Sequence, residues 1–282
     1  MNRSPPGGPI DCHVHIIDPA RHPFAKGQGY HPAPHETGTA EALAATLSRH
    51  GIAGALLVAA SGYGTDNRSI TASTGPLCPR AVVSVDASIT DDALRALVAA
   101  GAVGVRLNAV NSGEEGVRAA SPLLPRLAAH GLLVELQCPA GAIARLAPPI
   151  LEHGLTLVVD HMGYPDVRQG VGAAAFKDVL ALAKHPAVAV KLSGAFRLSN
   201  TAPPHEDVRP FAQRIVDAFG PDRLVWGSDW PFIGVPAHRR PTYADTLADL
   251  TRWVGAPPDR DTILCHTPRR LFRWPAEERA RG

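Results

Sequence analysis

The feature that most restricts the fold of this chain is a series of eight short apolar segments that alternate with amphipathic ones. Each apolar segment is four to eight residues long and rich in Val, Leu and Ile, and polar and apolar residues do not alternate cleanly within it. This pattern is typical of strands that are buried on both faces of a parallel sheet. We predict strands at residues 10–17, 54–60, 81–86, 104–108, 132–137, 155–161, 188–193 and 223–229.

The amphipathic segments are predicted to be helices that end at glycine. A glycine after a helix takes the left-handed conformation that stops it, and a new strand follows within a few residues. The predicted stops are Gly51, Gly101, Gly131, Gly154 and Gly220. Eight such units without a dividing linker predict an α/β fold, a single (β/α)8 TIM barrel over residues 1–282. An open doubly wound sheet is disfavoured, because no G-x-G-x-x-G motif follows the first strand.

The charge balance limits the classes of partner. The chain has 28 Lys and Arg against 26 Asp and Glu, a net charge of +2, so it lacks the excess positive charge that nucleic acids or anionic membranes attract. Its longest uncharged apolar stretches are about half the ~20 residues that a membrane-spanning helix needs. With no apolar signal-like segment near Met1, we expect a cytoplasmic protein with no nucleic-acid or membrane partner. Its four scattered cysteines are expected to be reduced thiols.

Chemically versatile side chains stand where several predicted strands end. His13 and His15 end the first strand, His161 ends the sixth and Asp229 ends the eighth. In a closed barrel the last strand adjoins the first, and active sites lie at the carboxyl ends of the strands. We therefore expect these four side chains to converge. Because side chains alternate along a strand, we expect Asp11 deeper on the same face as His13, in a structural role.

A second group of residues is predicted to bind the substrate. Arg106 and Arg197 lie at or just beyond strand ends, and a guanidinium group can grip a carboxylate bidentately. The long loop at residues 18–38 is rich in proline and glycine and is a candidate lid, from which Tyr30 can reach the ligand. Ser61 and Asn108 are weaker candidates for the same pocket.

Several motifs together resemble the amidohydrolase superfamily, within its amidohydrolase-2 branch. They are Asp-x-His-x-His at residues 11–15, Val-Val-Asp-His-Met-Gly at 158–163, Lys-Leu-Ser-Gly at 191–194 and Leu-Val-Trp-Gly-Ser-Asp-Trp-Pro at 224–231. The branch includes 2-pyrone-4,6-dicarboxylate lactonase, 4-sulfomuconolactone hydrolase and galactarolactone isomerase. The resemblance implies a hydrolase that opens a small anionic, carboxylate-bearing lactone in aromatic catabolism. Asp229 would be its general base, and His13, His15 and His161 would polarise the carbonyl group.

The sequence departs from the binuclear members of the superfamily. Where those members use a carboxylated lysine on strand 4 and a histidine on strand 5, this chain has Arg106 and Gln137. Lys191, on the seventh predicted strand, is expected to be structural or to face a loop. A single divalent metal such as Zn²⁺ on His13, His15, His161 and Asp229 is chemically possible. The resemblance to pyrone-dicarboxylate lactonase favours a site without a metal cofactor.

Four alternatives remain open at this point. The chain could be a mononuclear Zn²⁺ lactonase of a sugar lactone or sulfomuconolactone, a lactone isomerase, or a metal-dependent decarboxylase. It could also be a barrel that only binds a small anion. The sequence does not indicate which lactone is used or how many subunits assemble.

Overall fold

The computed structural model describes residues 7–27 and 30–275, and within them all eight predicted strands are present. They form one parallel sheet in the order β1 to β8, with bounds Ile10–Val14, Gly54–Val58, Arg80–Val83, Ala102–Asn108, Leu133–Gln137, Leu157–Val159, Val188–Ser193 and Leu224–Gly227. The sheet closes just beyond β8, where the Asp229 amide donates to the His13 carbonyl (2.8 Å) and the His15 amide donates to the Trp230 carbonyl (2.8 Å). The TIM barrel prediction is confirmed.

Helices connect the strands and cover the outside of the barrel. The α-helices α1 to α12 are Ala40–Arg49, Arg68–Thr71, Asp91–Ala99, Ala109–Ala119, Leu124–Ala129, Ala140–Glu152, Ala174–Ala181, Ala195–Leu198, Arg209–Phe219, Tyr243–Trp253, Pro257–Asp261 and Thr267–Leu271. All five glycines predicted to stop helices have a positive φ, between 65° and 100°. None of the described helices is long and apolar enough to cross a membrane.

The barrel interior is apolar at one end and polar at the other. The apolar end is a cluster that includes Ile10, Cys12, Leu133, Ala189 and Val225. On β5, Leu133 belongs to this apolar cluster, and the residues two and four positions later, Glu135 and Gln137, are polar and buried. Because side chains alternate with a period of two, these polar residues share the inner face. The fold therefore places a buried polar layer directly beneath the carboxyl-terminal mouth.

Several strands are shorter than predicted, because the backbone turns where the functional residues begin. β6 ends at Val159, and Asp160–Gly163 form a 3-10 turn. β8 ends at Gly227, two residues before Asp229. The candidate lid at residues 18–38 is pinned at its base by paired hydrogen bonds between Ile17 and Gly38 (2.8 and 2.9 Å). Gln28 and Gly29 of this loop lie outside the described residues.

The four cysteines are free, as predicted, and all four are buried.

The prediction that Asp11 lies on the same strand face as His13 is wrong. The pairing of β1 with β2 shifts register between Asp11 and Val14, so Cys12 joins the inner apolar cluster. Asp11 instead contacts α10, where its Oδ2 accepts a hydrogen bond from the Tyr243 hydroxyl (2.8 Å). Its Oδ1 accepts from the amides of His13 (3.1 Å) and Ser228 (2.9 Å), so Asp11 ties the first strand to the last.

Candidate active site

The structure brings His13, His15, His161 and Asp229 together at the barrel mouth, all of them at most 1% exposed. The Oδ1 atom of Asp229 lies 3.4 Å from Nε2 of His15 and 3.9 Å from Nε2 of His13. Its Oδ2 atom lies 3.7 Å from Nε2 of His161. Three histidines from two strand ends thus surround a carboxylate from a third, and the four side chains converge as the sequence predicted.

Two of these residues adopt a backbone conformation that is unfavourable for a side chain. His161 has φ 49° and Asp229 has φ 63°, both in the left-handed region. Such conformations cost about 1–3 kcal/mol each and persist where the surrounding structure enforces them. Here the turn after each strand aims the side chain across the barrel mouth.

Two glycines allow the histidines to lie close to neighbouring backbone. A Cβ atom at Gly227 would lie 2.5 Å from Cβ of His13, and one at Gly194 would lie 2.7 Å from Nδ1 of His161. Gly194 also has φ 68°, which disfavours any other residue. Glycine at these two positions makes room for the side chains of His13 and His161.

The electrostatics of the site keep Asp229 ionised. Burial alone would raise the pKa of the Asp229 carboxyl, but the positive charge of Arg197 offsets burial and holds this pKa well below its usual range. Arg197, on α8, donates from Nε to Oδ2 of Asp229 and from Nη1 to the Ile233 carbonyl (2.9 Å). Asp229 is therefore an ionised carboxylate at the barrel mouth, the form that can accept a proton.

The three histidines are neutral at physiological pH, because burial lowers the pKa of each. For His161 the pKa falls to about 4. His15 donates from Nδ1 to the Val58 carbonyl (2.8 Å), so its Nε2 carries a lone pair that faces Asp229. Nδ1 of His161 shares a hydrogen bond with the Ser193 hydroxyl (2.8 Å). His15 can thus present an acceptor to a ligand, and the Ser193 hydroxyl can serve either tautomer of His161.

Sequence reasoning missed a group that lies below these residues, which we call the buried charge cluster: Glu135, Asp160 and Lys191, with Arg106 at its edge. Glu135, Asp160 and Lys191 are at most 1% exposed. Burial, with the neighbouring Asp160 carboxylate, raises the pKa of Glu135 to about 8, whereas the positive charge of Lys191 holds that of Asp160 well below its usual range despite burial. Asp160 therefore carries the negative charge, and Glu135 carries a proton at neutral pH.

A cavity of about 180 Å³ opens above Asp229 and contains all five residues that were predicted to bind substrate. Its wall includes Tyr30, Ser61, Arg106, Asn108 and Arg197, together with His15 and His161. Tyr164 and Gln137 also line it, and no sequence pattern had singled out Tyr164. Asn108 donates from Nδ2 to the Ser61 hydroxyl (3.2 Å), which joins two loops of the wall.

Protein contacts already occupy part of the hydrogen-bonding capacity of Arg106 and Tyr30. Arg106 donates to the Ala59 carbonyl (3.0 Å) and to Oε1 of Gln137 (2.5 Å), and lies 3.5 Å from Asp160. The Tyr30 hydroxyl donates to Glu36 and accepts from the Gly234 amide (2.8 Å). These contacts fix both side chains at the cavity wall before a ligand arrives.

The donor atoms of the site only partly suit a divalent metal. One atom each from His13, His15 and Asp229 lie within 4.8 Å of one another, as do those of His13, Asp160 and His161. Within the described chain, Nε2 of His13 and Oδ1 of Asp229 have no hydrogen-bond partner, which favours a cation between them. However, Nδ1 of His13 lies 3.0 Å from the Lys191 ammonium group. A neutral imidazole that accepts at Nδ1 carries its proton on Nε2, the atom that a metal would need.

Positively charged side chains close to these donor atoms further disfavour the binding of a metal ion. Lys191, Arg106 and Arg197 lie within 4.0 Å of the carboxylates of this site, where they already supply positive charge. This donor set and the cations around it therefore do not fit a resident divalent metal.

Comparisons with known proteins agree with the fold. A sequence model of a family described as Amidohydrolase matches residues 10–274. A 2-pyrone-4,6-dicarboxylate hydrolase of Comamonas testosteroni is 33% identical over alignments that cover 96% of this chain and 92% of that protein. A 4-sulfomuconolactone hydrolase of Hydrogenophaga intermedia is 30% identical, covering 95% and 89%. A Pseudomonas putida crystal structure, provisionally described as a 2-pyrone-4,6-dicarboxylic acid hydrolase, superposes with a TM-score of 0.82 at 28% identity, covering 96% and 99%.

Proposed function

This chain belongs to the amidohydrolase family, and we propose that it is a lactonase that opens a carboxylate-bearing cyclic ester, with Asp229 as general base. Its relatives are named hydrolases of lactones, one of them a pyrone dicarboxylate. The observation that carries the proposal is the meeting of an ionised Asp229 with three neutral histidines beneath a cavity that Arg197 lines. Enzymatic lactone opening needs a base, hydrogen-bond donors for an oxyanion and a cation for the substrate anion.

Water activation falls to Asp229 and His15. Oδ1 of Asp229 has no hydrogen-bond partner among the described residues, and the lone pair of His15 Nε2 lies 3.4 Å away. A water molecule on the cavity side of these two atoms donates one hydrogen to each acceptor, which orients its own lone pair towards the substrate. As the water oxygen bonds to the carbonyl carbon, its proton passes to Asp229 and the carbonyl electrons move to the carbonyl oxygen.

His13 and His161 stabilise the negative charge that develops on that oxygen. With its proton on Nε2, His13 is a donor aimed at the centre of the site, and burial keeps the imidazole neutral. Collapse of the tetrahedral intermediate restores the C=O bond and breaks the bond to the ring oxygen. Asp229 returns the proton to that leaving oxygen, so the product is the ring-opened hydroxy acid and the base is regenerated.

Arg197 supports the choice of an anionic substrate. Its described hydrogen bonds use Nε and Nη1, which leaves Nη2 for a ligand carboxylate in the cavity. A substrate carboxylate on this guanidinium competes with Asp229 for its positive charge. Binding of the correct substrate therefore raises the basicity of Asp229 at the moment when a proton must be accepted.

The test is a panel of lactones with zero, one or two carboxylates, including 2-pyrone-4,6-dicarboxylate, assayed with and without a chelator. We expect turnover of a carboxylated lactone, little turnover of the neutral one, and a product heavier by one water. Chelator treatment should leave the rate unchanged. Loss of activity that Zn²⁺ restores would instead identify a mononuclear metal lactonase, and a product of unchanged mass would identify an isomerase.

A further inference from the structure

Lys191 is completely buried in the centre of the barrel and has no role in the reaction proposed for the site. It is 0% exposed, on β7 beneath the catalytic histidines. Lysine is almost never fully buried unless it is paired, because removing an ammonium group from water is costly. A lysine at this depth has to be held by specific partners.

Three acceptors surround the lysine nitrogen, and an ammonium group has three hydrogens to donate. Nζ of Lys191 donates to Oε2 of Glu135 and lies 3.4 Å from Oδ1 of Asp160. The third neighbour is not a carboxylate but Nδ1 of His13, at 3.0 Å. Because an ammonium group cannot accept a hydrogen bond, this contact requires a lone pair on Nδ1 of His13.

We propose that Lys191 is a positioning residue that holds His13 in the tautomer with its proton on Nε2. This proton points towards Oδ1 of Asp229, 3.9 Å away, and into the place where a substrate carbonyl would bind. Lys191 thereby makes His13 a hydrogen-bond donor and withholds the lone pair that a metal ion would need. The catalytic consequence rests on the proposed lactonase function, whereas the tautomer does not.

Removal of Lys191 is expected to reverse the tautomer. Oδ1 of Asp160 lies 3.4 Å from Nδ1 of His13, and Oε1 of Glu135 lies 3.5 Å from it. Within the described chain neither oxygen has a hydrogen-bond partner. Without the ammonium group, a proton on Nδ1 of His13 can be donated to these oxygens, and Nε2 is then left with a lone pair that faces His15 and Asp229.

The direct test is nitrogen NMR of protein labelled with ¹⁵N-histidine, which reports the protonated ring nitrogen of His13 without any substrate. We expect Nε2–H in the wild type and Nδ1–H in Lys191→Met. Glu135→Gln is the matched control, because it changes a neighbour of the lysine but keeps the lysine itself, and it should retain Nε2–H. A wild-type His13 protonated on Nδ1 would overturn the proposal even if Lys191→Met does not fold.

Zinc binding supplies a second readout that a merely structural role of Lys191 would not move. Freed from Lys191, His13, His15 and Asp229 form a set of two imidazoles and one carboxylate, so Lys191→Met should bind Zn²⁺ about 10-fold to 100-fold more tightly than the wild type. Equal or weaker binding by a folded variant contradicts the proposal. His13→Gln in the same background should abolish the gain.

Kinetics then connect the tautomer to catalysis. Loss of one oxyanion donor should lower kcat about 10²-fold with little change in KM, because the ground-state contacts of the substrate carboxylate are untouched. If the NMR and zinc results hold but no lactone is turned over by the wild type, the proposed function fails and the role of Lys191 stands. If lactones are hydrolysed but Lys191→Met keeps the wild-type tautomer, the proposed function stands and the role of Lys191 fails.

Discussion

The guanidinium group of Arg197 donates from Nε to Oδ2 of Asp229, so the proposed general base is also one half of a buried ion pair. The two functions make opposite demands on the carboxylate. A general base works best with a pKa near the operating pH, whereas an adjacent guanidinium lowers that pKa. A substrate whose carboxylate competes for Arg197 resolves the conflict, since it releases the base only when the reaction is about to begin.

Substitution of Arg197 should shift the pH dependence of the reaction. In the wild type the pKa of Asp229 lies well below its ordinary value, so kcat/KM for a neutral lactone should not fall until strongly acidic pH. Arg197→Met removes the opposing charge while burial remains, so the pKa of Asp229 rises and the acidic limb moves up by at least about one pH unit.

The control for this shift is Arg168→Met, which removes an exposed arginine that pairs with Asp166 beside the neighbouring groove. Its pH profile should match the wild type. An Arg197→Met profile that also matches the wild type would show that Asp229 is not the group that titrates in kcat/KM.

Asp229→Asn should abolish catalysis but leave the fold intact. Asparagine tolerates the left-handed backbone that Asp229 adopts, and it preserves the size of the side chain, but its amide cannot accept the proton from water. We expect kcat to fall by about 10²- to 10⁴-fold, with an unchanged circular dichroism spectrum.

Asp249→Asn provides the matched control, because Asp249 on α10 is a buried carboxylate that pairs with His205 (2.8 Å) away from the cavity. This variant should lose stability and keep its kcat. Near-wild-type turnover by Asp229→Asn would remove the general-base assignment.

The four central residues that the sequence predicted share one property: each stands at or within two residues of a strand end and carries an unusual side chain for its surroundings. His13, His15, His161 and Asp229 could be found in this way because a closed barrel makes strand ends neighbours. Asp11 was misplaced because a register shift within β1 cannot be seen in the residue pattern, which assumes regular alternation. The left-handed turns at His161 and Asp229 could not be predicted either, because the residue pattern assumes regular strand geometry up to the strand end.

The buried charge cluster was missed although the sequence contained a signal for it. Glu135 and Lys191 are single charges within apolar strands, and such runs were interpreted as uniformly buried core. Each is followed two residues later by another polar residue on the inner face, Gln137 and Ser193. Polar residues at alternate positions of two barrel strands predict a polar interior, but only three-dimensional packing shows that Lys191 reaches His13.

The same cluster predicts how stability depends on pH. The pKa of Glu135 is about 8 in the folded protein, against about 4.3 in an unfolded chain. The folded state binds this proton more tightly, so the contribution is fully present below about pH 4 and is lost as the pH rises through about 8. The three buried histidines have lowered pKa values, so they oppose this trend up to about pH 7. We therefore expect the free energy of unfolding in urea to fall by about 1 kcal/mol between about pH 7 and about pH 8.

Glu135→Gln should remove this fall, because glutamine does not titrate. Glu115→Gln, an exposed site on α4, should retain the wild-type dependence on pH. If Glu135→Gln loses as much stability over this range as the wild type, the pKa of Glu135 is not raised in the folded protein.

Gly194 is required for two reasons, its positive φ and its close contact with His161, and Gly194→Ala with a matched control should separate them. The new Cβ would lie 2.7 Å from Nδ1 of His161, in a backbone with φ 68°, so the imidazole must move away from Ser193 and Asp229. Gly51, which follows α1, has φ 65° but no atom within 4 Å of an added Cβ, so Gly51→Ala introduces the strain of a positive φ without the contact. Both variants should lose about 1–2 kcal/mol of stability in urea denaturation. Only Gly194→Ala should also lower kcat, by about 10²-fold, since a displacement of about 1 Å can have that effect. Equal kcat values for the two variants would mean that the position of His161 does not limit the reaction.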